Sequence, residues 1–94
     1  MTRDEIKNDS FKRITTAVSI VFPGIKTSTD GDILEFDDGA VKVELTSNDI
    51  DEGQFNVTND GESVGEIWGI KPTVSLVVKE VCNIRKQKVL ATIH

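Results

Sequence analysis

Val41-Lys42-Val43-Glu44-Leu45-Thr46 alternates apolar and polar residues without a break. A strand sets successive side chains on opposite faces, so the run predicts Val41, Val43 and Leu45 on a dry face and Lys42, Glu44 and Thr46 on a wet one. A strand of this kind belongs to an antiparallel sheet covered on one side only. Immediately before it, Asp37-Asp38-Gly39 supplies a turn. Earlier still, Ile25 to Thr29, Asp30-Gly31 and Asp32 to Phe36 give a hairpin on an Asp-Gly turn. Beyond the central strand, Ser47 to Gly53 is polar apart from Ile50 and predicts a loop. Phe55 and Val57 mark the next strand, Asn59-Asp60-Gly61 turns it, and Val64 to Trp68 returns. The middle of the chain is thus a meander of four to five strands.

Helical periodicity flanks the meander. Thr2-Arg3-Asp4-Glu5 has the form of a capping box, in which Thr2 accepts from the Glu5 amide while Glu5 reaches back. Ile6, Phe11, Ile14, Val18 and Val21 follow as an apolar stripe, with Lys7, Asp9, Lys12, Arg13 and Thr16 opposite, and Pro23-Gly24 stops the helix. At the other end, Lys71-Pro72-Thr73 marks a second helix start, with Pro near the first position or just before a Thr cap. Val74, Val77, Val78, Val81 and Ile84 form its stripe, opposite Lys79, Glu80, Asn83 and Lys86. The β-branched run is also compatible with a buried strand, and residues 73–93 are either one helix or a helix followed by a short edge strand. The expected fold class is α+β: an N-terminal helix, an antiparallel meander of four to five strands and a C-terminal helix, with both helices packed on one face of the sheet. At 94 residues the chain has material for one core, so residues 1–94 are expected to form a single domain. Ile and Val number 21 against 4 Leu, which agrees with a core built on a sheet.

No stretch has the roughly 18 apolar residues of a membrane span, and Met1-Thr2-Arg3-Asp4-Glu5 is unlike a signal peptide. One cysteine, Cys82, precludes an internal disulfide. Both point to the cytoplasm.

Several chemistries are disfavoured. The one histidine is the final residue, His94, so a Ser or Cys nucleophile lacks its usual base. One His and one Cys do not make a zinc site. Neither G-x-x-x-x-G-K-[ST] nor G-x-G-x-x-G occurs. Asp30-Gly31-Asp32, Asp37-Asp38-Gly39, Asp49-Ile50-Asp51-Glu52-Gly53 and Asn59-Asp60-Gly61-Glu62 cluster oxygen ligands, yet none has the EF-hand register, and Asp-Gly is what hairpin turns need. No enzyme, metal or cofactor is expected. Cys82 is expected as a small buried hydrophobe. Trp68 is expected in the core in preference to a partner anchor.

Charge is what remains. Between Thr27 and Ile70 twelve acids face one lysine, Lys42, for a formal charge of −11, while the first 26 and last 24 residues carry +2 and +4. Asp30, Asp32, Glu35, Asp37, Asp38, Glu44, Asp49, Asp51 and Glu52 are the candidate binding residues. Pairs spaced i, i+2 in extended chain would set like charges roughly 6.6 Å apart on one face. In sign, and within about a factor of two in spacing, that imitates a nucleic-acid strand. The expected partner is therefore the basic surface of a protein, such as a nucleic-acid-processing enzyme. Direct binding to nucleic acid or membrane is not expected. In small size, acidity and lack of catalytic groups the chain has the profile of inhibitors that phages and mobile elements direct at host nucleases and defence complexes, though no motif assigns a family. The alternative is a structural or assembly subunit that forms a homodimer or larger homo-oligomer, with acidity serving solubility.

Overall fold

The structure, a computed structural model, describes residues 2–48 and 53–93. The chain runs α1 (Arg3–Val21), β1 (Thr27–Asp30), β2 (Ile33–Phe36), β3 (Val41–Asn48), β4 (Gly53–Asn59), β5 (Glu62–Trp68) and α2 (Ile70–Ile93). The strands form one antiparallel sheet in the order β1-β2-β3-β4-β5. Both helices pack against each other and against the same face of β3 and β4. This is the expected α+β meander between two helices.

The alternation in β3 is realised. Val41, Val43 and Leu45 are buried while Lys42, Glu44 and Thr46 lie on the other face. Leu34 and Phe36 from β2 and Phe55 and Val57 from β4 join them. From above, α1 contributes Phe11, Ile14 and Val18, and α2 contributes Val77 and Val81. Each such side chain removed from water stabilises the fold by about 1.5–3 kcal/mol.

The turns follow the Asp-Gly signals, with one shift. Asp60 (φ 52) and Gly61 (φ 85) close β4–β5 between the paired Asn59 and Glu62, the left-handed pair of a type I′ hairpin. Asp37, Asp38 and Gly39 all have positive φ between β2 and β3. In the first hairpin Asp30 pairs with Ile33, so the two turn residues are Gly31-Asp32, with Gly31 (φ 60) leading, and not Asp30-Gly31. Both registers keep the same faces together, and the polar first arm offers no apolar pairing to choose between them. The hydrogen bond from the Asp37 amide to the Lys26 carbonyl (2.9 Å) completes the observed one. At the far end the expected loop is shorter than Ser47 to Gly53. A bulge at Thr46 lets Ser47 pair with Gln54 and Asn48 with Gly53, and the remaining loop lies outside the described residues.

Thr2 caps α1 and accepts from the Glu5 amide (3.2 Å). The Glu5 carboxylate accepts from the Thr2 hydroxyl rather than from the backbone. Val21 proves exposed, because the inner face follows Lys7, Phe11, Ile14, Val18 and Phe22. Lys7 was expected on the wet side, yet its stem packs inward and its ammonium reaches Asp32 (3.3 Å).

One uninterrupted helix, α2, occupies residues 70–93 and begins before the expected start. Gly69 (φ 93) turns the chain out of β5, and Pro72 sits in the first turn, where its missing amide costs nothing. Thr73 is fully buried and is not a cap; its hydroxyl donates to the Gly69 carbonyl (2.7 Å). Glu80, placed opposite the stripe by the sequence pattern, is buried beside Val81 and accepts from Asn83 (3.2 Å). Cys82 is exposed, since one residue beyond Val81 rotates about 100° away from the core. With 24 residues α2 is about 36 Å long, against about 23 Å for seven-residue β5. It therefore outruns the sheet, and the long axis of the molecule reaches 51 Å.

Candidate functional site: the open face of the sheet

Side chains that alternate away from the core make a second, uncovered face. Its rows follow from the register. One row crosses the sheet as Asp30, Ile33, Glu44, Asn56 and Glu66, and the next as Ser28, Glu35, Lys42, Thr58 and Ser63. Gln54 and Trp68 form a third pair. Ser63 donates to Asn56 (2.7 Å) and Ser28 to Glu35 (3.1 Å), so short polar side chains brace neighbouring strands. A depression of about 240 Å³ lies among Ile33, Lys42, Glu44, Asn56, Thr58 and Gly61. Small-molecule clefts are larger, roughly 300–1,000 Å³ and mostly apolar.

The predicted acids separate into three groups. Asp30 and Glu44 stand on the open face, exposed, and make no ion pair. Four others are matched by cations of the same chain. Asp32, in the first turn, pairs with Lys7 (3.3 Å); Glu35 with Lys42 (3.5 Å); Asp37 with Arg85 (3.6 Å); and Asp38 with Lys26 (3.6 Å). Asp49, Asp51 and Glu52 lie outside the described residues. The basic flanks are thus not segregated from the acidic middle: Lys7, Lys26 and Arg85 reach into it. Each pair keeps at least one partner in water and adds about 0–1 kcal/mol, so their main effect is on where charge remains.

Asp37 is the most constrained of these residues. Its amide is bonded to Lys26, its backbone is left-handed, and one carboxylate oxygen is buried without a hydrogen bond. Arg85 holds the other oxygen while stacking 4.7 Å from the centre of the Phe22 ring. This contact ties the end of α1, the β2–β3 turn and α2 together and has a structural character.

The described i, i+2 acid pairs do not form rows along a strand, because each runs from a strand end into a turn or across one; Asp49 with Asp51 lies outside the described residues. Asp30 ends β1 while Asp32 is in the turn, Glu35 lies in β2 while Asp37 is past its end, and Asp60 precedes Glu62 across the hairpin corner. The row that does form runs across the strands. Asp30, Glu44 and Glu66 sit on alternate strands, roughly 10 Å apart at about 4.8 Å per strand. No family model, curated protein or solved structure matches the chain.

Two residues of this face were not among the predicted nine. Glu66, exposed and without an ion pair, completes the acidic row. Trp68 was expected in the core but is 48% exposed on edge strand β5, whose Val64 is also exposed, at 43%. The signal was present: in Val64-Gly65-Glu66-Ile67-Trp68, Glu66 and Trp68 share a face opposite Gly65 and Ile67. Among the described residues no three His, Cys, Asp or Glu side chains are grouped to hold a metal, and no helix is long and apolar enough to cross a membrane.

Proposed function

We propose that this chain is a non-enzymatic protein-binding module whose open sheet face engages a basic protein surface, of the kind nucleic-acid-processing enzymes present to phosphate. The observation that carries the reading is the row Asp30, Glu44 and Glu66, three carboxylates left without internal cations on a face whose one lysine, Lys42, is paired with Glu35. Their spacing, about three times the 3.4 Å axial rise per phosphate of one DNA strand, imitates the sign of nucleic acid and not its period. An inhibitor of the phage or mobile-element type is one protein that would use such a face. A cytoplasmic setting, in which exposed Cys82 stays reduced, suits this reading.

The test is capture of partners from a host lysate by the tagged chain, washed at low salt and at about 0.5 M, compared with the triple variant Asp30→Asn, Glu44→Gln, Glu66→Gln. Exposed charge contacts are largely screened at the higher salt. A basic protein retained at low salt by the parent chain and lost by the variant is the expected result. Undiminished capture by the variant would reject the reading. A second reading, a self-assembling subunit, draws on Ile20 and Val21, which expose 77% and 51% of their surface side by side on the last turn of α1. Sedimentation equilibrium showing a monomer at all concentrations would count against it.

A further inference from the structure

Edge strand β5 offers more than its side chains. In an antiparallel ladder, bonded and non-bonded residue pairs alternate. The Gly69 amide bonds the Gly53 carbonyl (2.9 Å), which fixes the phase: Phe55–Ile67 is a bonded pair, whereas Gln54–Trp68 and Asn56–Glu66 are not. The backbone amide and carbonyl groups of Glu66 and Trp68 therefore point away from β4, toward the uncovered edge. We propose that β5 accepts an extended segment of a basic partner protein as a sixth strand, with Lys or Arg alternating with apolar residues in that segment. The inference rests on the reading of the open face as a contact for basic protein.

Each side of such a strand finds a matching surface. On the open side its residues fall beside Glu66 and beside the exposed ring of Trp68, which attracts a cation over its face. On the helix side they fall beside half-buried Ile67 and Leu76. A Cβ built on Gly65 would lie 3.7 Å from Leu76, so Leu76 rests directly against the middle of β5. Opposite charges in cross-strand neighbours add to the attraction, and the main-chain bonds supply the rest.

Charge also excludes the simplest competitor, a second copy of this chain. β5 carries Glu62 and Glu66 and no cation, and the opposite edge, β1, carries Asp30 and no cation. Pairing β5 with itself would assemble four carboxylates without a counter-charge. β1 is a weaker acceptor for any partner, at four residues and without an apolar side chain.

Trp68 is the only tryptophan, so its fluorescence reports this edge directly. The experiment titrates the chain with an octapeptide of alternating Lys and Val, then with the same peptide N-methylated at alternate residues, and follows amide hydrogen exchange at Glu66 and Trp68. The first peptide is expected to shift the Trp68 emission and slow both amides, and the methylated one to bind about tenfold more weakly. Glu66→Lys, an exposed substitution compatible with the fold, is expected to weaken binding of the Lys-Val peptide several-fold and to strengthen that of its Glu-Val counterpart by a similar factor. Equal binding of both Lys-Val peptides without slowed exchange overturns strand addition and leaves the acidic-face reading intact. Failure of both peptides to bind overturns strand addition too, and the lysate capture with the triple variant then decides the acidic-face reading separately.

Discussion

Gly53 opens β4 at a point where no side chain fits. A Cβ there would come within 2.9 Å of Leu45 and 3.0 Å of Phe55, both in the core. Gly53→Ala is expected to destabilise the fold by about 1–3 kcal/mol through overpacking, measured as a lower urea midpoint at unchanged slope. Asp60 poses the complementary case, a side chain with room but with left-handed backbone. Asp60→Asn is expected to stay within about 0.5 kcal/mol, since Asn tolerates that region, while Asp60→Val is expected to cost about 1–2 kcal/mol. The Asp-Gly turn was legible because its chemistry is local. The fates of Cys82 and Glu80 were not, since each sits at the border of the stripe of α2, where a rotation of one residue decides between core and water.

Elements were legible where period and punctuation agreed. In β3, alternation and a preceding turn pointed the same way, and burial follows the pattern residue by residue. The Val-rich segment from Val74 to Val81 reads as helix by its period although its β-branched residues prefer strand, so intrinsic preference and periodicity disagree. Packing decides it: as a helix, Thr73, Val77, Val81 and Ile84 lie toward the sheet and α1, with Val77 and Val81 at 0% exposure. Val81→Ala is accordingly expected to cost about 2–3 kcal/mol, and Lys79→Ala, exposed on the same helix, less than about 0.5 kcal/mol, by chemical denaturation. Of the candidate site, the acid count was legible but its partition was not. Which carboxylates keep their charge free depends on Lys7, Lys26 and Arg85, contributed by segments remote in sequence.

For the whole molecule, the consequence of that partition is a modest, localised negative face rather than an acidic hemisphere. Replacing Asp37 and Asp38 is expected to disturb the β2–β3 turn and its clamp to Arg85 without isolating the binding contribution, whereas Asp30, Glu44 and Glu66 are exposed and substitutable without loss of a described contact. Parent chain and triple variant should therefore melt within a few degrees of each other, and capture alone should distinguish them.

The overhang of α2 gives the molecule a shape that bears on every measurement of its size. Extents of 51 × 24 × 21 Å describe a rod of roughly two-to-one proportion, and the radius of gyration, 13.3 Å, exceeds the roughly 12.4 Å typical of a compact chain of this length. Such a particle meets more friction than a sphere of equal mass. On a gel-filtration column a single chain is expected to elute ahead of a spherical 10.3 kDa standard, in the direction of a dimer, while sedimentation equilibrium returns one chain's mass. Its tumbling is expected to be anisotropic as well, with amide vectors along α2 relaxing differently in NMR from those that cross the sheet.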